Sequence, residues 1–278
     1  MKTPTPTAPP NNFSHNALAA PDTIERDKAG FLPPFLSSEE LDELLEAWHR
    51  LASLPDVQWE AQRFITDARL YDEPVFARLA THPVVQEAAR RTIGDFQLAS
   101  YAVVATPRNG STPTTRKTVQ FHVDHCVYSD VPVPQARDTF VCVWVNFEEL
   151  AMENGPFALA VGTHHLNIGW EYFADETDKS AAVAAMGWEK CAAFNTGPAG
   201  STAVYSGKTW HAGTVNASDV IRKGLNINFV PKEPLDTNHR NHFDVCGLER
   251  EQYDRLADMI AIPNYLIEHQ PDIVTQTI

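Results

Sequence analysis

The feature that most constrains the fold is a series of short β-rich segments between residues 97 and 230. Turn-forming Gly, Pro, Asn and Asp residues separate seven such stretches. The stretches are 98–105, 118–126, 139–147, 157–161, 202–205, 211–215 and 220–230. A helical pattern precedes them, and many strands of this length after helices are typical of a β-sandwich or a barrel flanked by helices.

The helical pattern begins after Ser37 and Ser38, either of which can cap a helix. The apolar residues that follow recur at the helical period and predict one buried stripe: Leu41, Leu44, Leu45, Trp48 and Leu51. A second helix is predicted at about 84–92. Segment 166–196 is harder to assign, and we interpret it as an insertion that covers one end of the barrel, as lids do.

The chain of 278 residues is long enough for one large domain. Residues 1–22 are rich in Pro, Thr, Ala and Asn and are expected to form a disordered arm. Residues 23–278 are expected to form a single domain. Its barrel core is predicted at about 97–232, and a C-terminal helical segment at about 248–262.

The balance of charges restricts the partners. The chain has 22 Lys and Arg against 36 Asp and Glu, a net charge of −14. Nucleic acid and an anionic membrane are disfavoured as main partners, because both need a basic face. The sequence has no apolar run long enough to span a membrane and no secretory signal pattern. We therefore expect a cytoplasmic protein that acts on a small molecule; the sequence does not predict its oligomeric state.

The cysteines show no Cys-x-x-Cys pair and no regular spacing, so reduced structural cysteines are favoured over a disulfide or a soft-metal site. The four are Cys126, Cys142, Cys191 and Cys246.

The stretch from Val119 to His125 is unusually polar for a half-buried strand. Side chains alternate between the two faces of a strand, so Gln120, His122 and Asp124 share one face. Val119, Phe121 and Val123 then share the apolar face, and His125 points away from Asp124. An imidazole and a carboxylate two residues apart can bind one ion, and a later histidine would complete a two-His, one-carboxylate site for iron(II).

The His-x-Asp pattern is weak by itself, because chance alone produces such pairs. A second pair occurs at His242 and Asp244; the only histidine after it is His269, and no arginine lies beyond His269. We interpret that second pair as a chance match.

The segment after Trp210 distinguishes the first pair from the second. A turn predicted at 216–219 would make a hairpin that places Gly213 opposite Arg222, with His211 diagonal to Arg222 on the same face. A guanidinium there can bind the far carboxylate of a C5 diacid whose near end chelates a metal on His211.

The strand that begins at Arg222 is predicted to continue with two distinct faces. Its polar face contains Gly224, Asn226 and Asn228. Its apolar face contains Leu225, Ile227 and Phe229.

Further motifs accompany these residues along the chain: the segment 30–38, Glu153-Asn154-Gly155 and Gly162-Thr163-His164. Together with His122, Asp124, His211 and an arginine eleven residues later, they resemble the phytanoyl-CoA dioxygenase family of iron(II)/2-oxoglutarate oxygenases over roughly residues 30–232. The resemblance implies a mainly β fold with flanking helices. This fold is a double-stranded β-helix, a jelly-roll or cupin-like barrel with iron inside one open end.

The resemblance also implies roles for individual residues. His122, Asp124 and His211 would be the catalytic iron ligands, and Arg222 would bind the distal carboxylate of 2-oxoglutarate. Gln120 and Trp144 would contact this cosubstrate, with core packing as the alternative for Trp144.

The chain departs from the family pattern at two positions. Gly213 stands where members often carry a serine that assists the arginine, and Phe157 stands where some carry a threonine. Thr209, on the face of His211, is a candidate replacement for the serine. Asp124 fills the position that a small residue would open for a halide, so hydroxylation is favoured over halogenation.

The implied function is an iron(II)- and 2-oxoglutarate-dependent dioxygenase that uses O2, with ascorbate as reductant in vitro, to hydroxylate or otherwise oxidise a small metabolite or natural-product intermediate. Two alternatives remain: a cupin-like metalloenzyme in which Arg222 binds the substrate, and a non-catalytic binding member of the same fold. The basic residues Arg108, Arg116 and Lys117 are expected at the surface, with an anionic substrate as their alternative contact.

Overall fold

The computed structural model describes residues 21–55, 63–65, 73–108, 121, 123, 141–166 and 192–231. The helices among them are α1 (Pro21–Asp27), α2 (Ser38–Ala52), α3 (Pro74–Ala80) and α4 (Pro83–Ile93). The strands are β1 (Ala29–Leu32), β2 (Arg63–Ile65), β3 (Phe96–Thr106), β4 (Val141–Asn146), β5 (Phe157–Ala160), β6 (Ala192–Phe194), β7 (Thr202–Ser206), β8 (His211–Gly213) and β9 (Arg222–Pro231).

The described strands form two antiparallel sheets. The larger sheet has the order β1-β7-β4-β9-β3-β2, and the smaller has the order β6-β5-β8. Neighbours within each sheet come from distant parts of the chain, as in Greek-key and jelly-roll barrels. The prediction of a β barrel flanked by helices agrees with this topology.

The outer face of the larger sheet packs on the helices. Val141, Val143 and Val145 of β4 alternate with inward residues and are fully buried in a cluster with helical side chains such as Leu44 and Phe76. The outward residues of β9 join the same cluster: Leu225, Ile227 and Phe229. This agrees with the apolar face predicted for β9.

The inner face of the larger sheet packs against the inner face of the smaller one. Their shared cluster contains Trp144 and Tyr205 from the larger sheet and Phe157, Leu159 and Ala193 from the smaller. The two sheets are therefore opposite walls of one barrel interior.

Helix α2 begins where the sequence predicts. The Ser37 hydroxyl accepts a hydrogen bond from the Glu40 amide at 3.2 Å, and the Glu40 carboxylate accepts one from the Ser37 amide at 2.8 Å. This reciprocal capping box satisfies two backbone donors at the helix end. The buried side of the helix includes Leu44, Trp48 and Leu51.

We expect Ser37→Ala to lower the free energy of unfolding by about 1 kcal/mol, because it removes the hydroxyl of the cap. Ser38→Ala, one residue further along in the helix, is the matched control. Urea denaturation of the two variants measures the difference. Equal losses in both would contradict the capping role of Ser37.

The hairpin predicted between 211 and 222 is wrong. Strand β8 pairs with β5, with Leu159 opposite His211, whereas β9 pairs with β3 and β4. The chain crosses from one sheet to the other between these strands. The predicted turn is present, since the Asn216 side chain donates to the carbonyls of Thr106 and Val220 and fixes the crossing.

Other elements were missed or lie outside the described residues. Residues 192–194, assigned above to a covering insertion, form strand β6, and the sequence did not predict α1, α3, β1 or β2. The expected N-terminal arm up to residue 20, most of the 118–126 strand and the 248–262 helix lie outside the described residues.

The buried thiol of Cys142 is not part of a disulfide, as expected; the other three cysteines lie outside the described residues. No helix in the described part of the chain is long and apolar enough to cross a membrane.

Candidate functional site

Two of the predicted site residues face the barrel interior from opposite walls. His211 lies on β8 of the smaller sheet and Arg222 begins β9 of the larger sheet, and their exposed fractions are 1% and 2%. The sequence predicted that they share one sheet face. The pairing was wrong, but both side chains belong to the enclosed site.

The contacts of the His211 ring include a hydrogen bond and stacking against aromatic side chains. Its Nδ1 lies 2.9 Å from the carbonyl oxygen of Thr209. A carbonyl only accepts, so Nδ1 carries the proton and Nε2 carries the lone pair. The rings of Phe157 and Tyr205 lie 5.3 and 4.3 Å from the imidazole, centroid to centroid. A fixed tautomer and ring orientation suit an imidazole that binds a metal through Nε2.

The guanidinium of Arg222 is buried with neutral partners. It donates to the carbonyl of Gly155 and, at 2.9 Å, to the hydroxyl of Thr106. Its Nε is buried without a hydrogen-bond partner, and no carboxylate among the described residues pairs with it. Burial lowers the pKa of Arg222 to about 10, so the group stays charged at neutral pH. A buried cation of this kind is costly unless a ligand supplies the missing anion.

Thr106 is a site residue that the sequence analysis missed. It ends β3 directly opposite Arg222 in the β3–β9 ladder and is fully buried. Thr209 was the predicted source of a hydroxyl partner for Arg222. Its hydroxyl instead donates to the carbonyl of Lys28 at 3.3 Å. Thr209 instead lies in the site through its carbonyl, which accepts from His211.

Gly155 is required by both its backbone conformation and its neighbours. Its φ is +70°, and a Cβ there would lie 2.6 Å from backbone atoms of Asn216 and Val215 and 2.7 Å from the Thr214 carbonyl oxygen. The segment that presents a carbonyl to Arg222 is thus packed directly against the crossing between β8 and β9. Only glycine fits this close approach.

We expect Gly155→Ala to destabilise the fold much more than Gly162→Ala. Both glycines have positive φ, +70° and +82°, and the backbone strain alone costs about 1–2 kcal/mol at each. A Cβ at Gly162 meets nothing within 4 Å, whereas overpacking at Gly155 adds about 1–3 kcal/mol. Thermal and urea unfolding measure this; equal losses in the two variants would contradict the close approach.

Trp144, for which the resemblance predicts a contact with the cosubstrate, lies beside Arg222. The guanidinium carbon is 5.8 Å from the centre of the ring, within cation–π range. The indole Nε1 donates to Asn146 at 2.7 Å, and the ring stacks on Phe157 at 5.7 Å. A Cβ at Gly224 would approach the ring to 3.1 Å, so that glycine leaves room for it. The contact with a cosubstrate remains a prediction.

Two buried asparagines, Asn146 and Asn195, lie next to Trp144 and Phe157. No motif in the sequence indicated them. Asn146 donates to the backbone carbonyl of Asn195 at 3.4 Å. Both polar atoms of the Asn195 side chain are buried without a hydrogen-bond partner. Asn195 follows β6, and its backbone N–H donates to the backbone carbonyl of Phe157. Asn195 therefore lies next to the stacked aromatic rings. Buried amides without partners are rare and are found where water or a ligand completes them.

The predicted residues Gln120, His122 and Asp124 lie outside the described residues. Their neighbours Phe121 and Val123 are described and are buried, at 4% and 1% exposure. Both pack in the cluster on the outer side of the smaller sheet, the side opposite His211. This agrees with the apolar face predicted for the strand. Within the described part of the chain, no three His, Cys, Asp or Glu residues form a metal-binding group.

Arg108, for which an anionic substrate was the alternative contact, is exposed and paired with Asp219 at the surface. His164 lies half-buried in the short 3₁₀ helix Thr163–Leu166.

Comparison with known proteins gives a family and a fold. The sequence profile described as phytanoyl-CoA dioxygenase (PhyH) matches residues 27–224, more than half of the chain. No curated protein matches the sequence significantly.

Several solved structures are similar, all at low sequence identity. The first is the non-haem α-ketoglutarate-dependent epimerase SnoN from nogalamycin biosynthesis, at 20% identity, TM-score 0.56, and 78% and 82% coverage of this chain and of that one. HygX from Streptomyces hygroscopicus, with nickel and 2-oxoglutarate bound, has 16% identity, TM-score 0.58, and 77% and 88% coverage. EctD from S. alaskensis with bound iron has 19% identity, TM-score 0.61, and 82% coverage of both chains.

These structural similarities and the sheet topology confirm the predicted double-stranded β-helix.

Proposed function

The chain belongs to the phytanoyl-CoA dioxygenase family, and from this premise we propose that it is an iron(II)- and 2-oxoglutarate-dependent oxygenase that hydroxylates a small molecule. The observation that supports this proposal most strongly is the charge and environment of Arg222. It is a charged guanidinium, buried inside the barrel, with one unpartnered N–H and no carboxylate partner among the described residues. A dicarboxylate cosubstrate supplies the anion that this group lacks.

The proposed iron ligands are His122, Asp124 and His211. Two observations support this set. The Nδ1 proton of His211 is fixed by the Thr209 carbonyl, which leaves Nε2 as the coordinating atom. Phe121 and Val123 are buried on the outer side of the smaller sheet, and alternate residues of an extended chain point to the other side.

The proposed cosubstrate contacts are Arg222, Gln120, Trp144 and Thr209. Arg222 binds the distal carboxylate, with Thr106 bonded to its second guanidinium nitrogen so that the fork is held in one orientation. Trp144 lies against the guanidinium, within cation–π range. Thr209 acts through its carbonyl by orienting His211.

When bound, iron(II), 2-oxoglutarate and O2 supply the oxidising equivalent that converts a substrate C–H bond to C–OH, with release of succinate and CO2. The residues of the chain bind, orient and exclude water. The rings of Phe157 and Tyr205 contact the His211 ring and each other, so this part of the interior is aromatic.

We propose a free metabolite or natural-product intermediate as the substrate. Among the similar structures, one contains nogalamycin RO, one hygromycin B and one 5-hydroxyectoine, each a small molecule. The similar structures also include an epimerase and a carbocyclase, so proteins of this fold have different reaction outcomes. Hydroxylation is the outcome we propose here.

The test uses purified protein with iron(II), ascorbate, 2-oxoglutarate and O2. Binding of 2-oxoglutarate to the iron(II)-loaded protein without O2 is expected to produce a visible charge-transfer band. Turnover with a substrate is expected to release one succinate for each product molecule. A metalloenzyme that binds its substrate at Arg222 would give product without succinate, and a binding protein would give neither; both results would refute the proposal.

A further inference from the structure

Asn146 is a buried amide at the end of an otherwise apolar strand. Strand β4 has the sequence Val-Cys-Val-Trp-Val-Asn, and all six residues are buried. Asn146 is 0% exposed, and it lies on the same inner face as Trp144, two residues before it. Asparagine is disfavoured in strands, and burial of an amide is costly unless its hydrogen bonds are satisfied. The partners of Asn146 therefore indicate why an amide is present here.

The side chain of Asn146 makes two hydrogen bonds that fix its orientation. Its Oδ1 accepts from the indole Nε1 of Trp144 at 2.7 Å, and its Nδ2 donates to the backbone carbonyl of Asn195 at 3.4 Å. An indole N–H only donates and a carbonyl only accepts, so one orientation of the amide satisfies both. The backbone of Asn146 is held as well, because its N–H donates to Ser201 and its carbonyl accepts from Gly200.

The bond to Asn146 fixes the orientation of the Trp144 ring. An indole has a single polar atom, and a ring turned over would bury that N–H away from this acceptor, which is unfavourable. Gly224 is opposite Asn146 in the β4–β9 ladder, and a Cβ there would lie 3.1 Å from Cε2 and Cζ2 of the ring. The ring therefore lies next to Gly224, two residues from Arg222 on the same face of β9.

Trp144 is a wall of the region between the two groups that would bind the cosubstrate. The guanidinium carbon of Arg222 is 5.8 Å from the centre of the indole. The indole also stacks on Phe157 at 5.7 Å with the ring planes 11° apart, and the Phe157 ring is 5.3 Å from the His211 ring. The position of the indole thus restricts where the guanidinium can lie.

We propose that Asn146 is a positioning residue for the cosubstrate: it holds the Trp144 indole against Arg222, so that the guanidinium is oriented to bind the distal carboxylate of 2-oxoglutarate. Gly155 and Thr106 accept hydrogen bonds from two guanidinium nitrogens, and the indole contacts its central carbon. A side chain already held in its binding orientation loses less conformational entropy when the ligand binds. This inference rests on the proposed function and adds to it a residue that acts through Trp144.

The experiment measures binding of 2-oxoglutarate to protein loaded with Zn²⁺ in place of iron, so that no turnover occurs. Asn146→Leu removes the acceptor at similar side-chain size, and we expect 2-oxoglutarate to bind about tenfold more weakly. Asn146→Thr, whose hydroxyl is too short to reach the indole, repeats the test with a residue that favours strands. His211 is held separately by the Thr209 carbonyl, so the affinity for Zn²⁺ is expected to change by less than about twofold.

A double variant distinguishes positioning through the indole from a general structural effect. Trp144→Phe keeps an aromatic ring but removes the N–H, and we expect it to weaken 2-oxoglutarate binding by about tenfold. Because Asn146 acts through that N–H, Asn146→Leu added to Trp144→Phe is expected to weaken binding by less than about twofold more. A structural effect of Asn146→Leu would weaken binding by the same factor with and without the indole.

Trp48→Phe is the matched control for the change at Trp144. Trp48 also lies against a cation, since the Lys223 ammonium is 4.7 Å from the centre of its ring. Its contacts are with the helices on the outer face of the larger sheet. We expect Trp48→Phe to lower the melting temperature, as Trp144→Phe does, and to keep the wild-type affinity for 2-oxoglutarate.

The outcomes separate this inference from the proposed function. If the wild-type Zn²⁺-loaded protein does not bind 2-oxoglutarate, the proposed function fails, and this inference fails with it. If the wild type binds but Trp144→Phe or both Asn146 variants keep its affinity, only this inference is overturned. The same holds if Asn146→Leu weakens binding equally in both backgrounds, or if Trp48→Phe weakens it as much as Trp144→Phe.

Discussion

Replacing Arg222 by glutamine is expected to weaken 2-oxoglutarate binding by roughly 100-fold or more. The guanidinium is buried, and a carboxylate bound to it is bound through charge-assisted hydrogen bonds that contribute about 1.5–3 kcal/mol each. Two such bonds, about 3–6 kcal/mol together, correspond to roughly 100-fold to more than 10,000-fold in affinity. The measurement is titration of the iron(II)-loaded variant with 2-oxoglutarate in the absence of O2.

Arg222→Lys and Arg108→Gln are the informative companions of this variant. Lysine keeps the charge but loses the planar fork, so we expect an intermediate affinity. Arg108 is exposed and paired with Asp219 at the surface, and its replacement is expected to leave 2-oxoglutarate binding unchanged. Wild-type affinity in Arg222→Gln would contradict the proposed cosubstrate site.

The Arg222→Gln variant also distinguishes a role of Arg222 in binding from a role in stabilising the fold. The charged guanidinium loses hydration on burial and has only neutral partners among the described residues, Gly155 and Thr106. Relief of the buried, uncompensated charge is expected to offset the loss of these two hydrogen bonds. We therefore expect the Arg222→Gln protein to melt no earlier than the wild type without 2-oxoglutarate, and to lose the rise in melting temperature that the cosubstrate produces.

Alternation within strands was predictable from the sequence, but the pairing between strands was not. The apolar and polar faces of β9 lie as its pattern predicts, with Ile227 under the helices and Asn226 facing the interior. Pairing depends on residues far apart in the chain. The loop after His211 has a true turn held by Asn216, and local turn chemistry cannot distinguish a hairpin from a crossing between sheets.

The residues of the candidate site fall into the same two groups: those that a sequence pattern indicates, and those that contacts between distant parts of the chain bring into the site. His211 and Arg222 were identified from the His-x-Asp pair that precedes them and from their spacing of eleven residues, which are signals along the chain. Thr106, Asn146 and Asn195 reach the site through hydrogen bonds between residues more than 40 positions apart, and each is an ordinary residue in its own segment. No pattern along the chain separates such residues from other strand-end Thr and Asn residues.

Thr106 also accounts for a departure from the family pattern. Gly213 has no hydroxyl to offer, and its register partner is Phe157, whose ring stacks on both Trp144 and His211. The guanidinium is bonded instead by a hydroxyl from the neighbouring strand β3. Arg222 thus keeps a hydroxyl partner. Gly213, where family members often have a serine, instead lies opposite the stacked ring of Phe157.

Replacing Asp124 by alanine is expected to abolish iron binding at micromolar concentrations and to lower turnover by more than about 100-fold. Loss of an outer partner of a metal ligand already costs about 10- to 100-fold, and loss of a ligand itself costs more. In the proposed centre, the carboxylate would also supply the negative charge against iron(II) that imidazole ligands lack. Iron content after gel filtration and succinate release measure the two effects.

The second His-x-Asp pair in the sequence provides the control. Asp244→Ala makes the same change two residues after His242, and we expect normal iron content and turnover. His125→Ala removes the imidazole next to Asp124, which strand alternation directs to the opposite face, and it is also expected to retain iron. Full iron occupancy in Asp124→Ala, or its loss in Asp244→Ala, would show that the wrong pair was assigned and that the proposed centre with His211 does not exist.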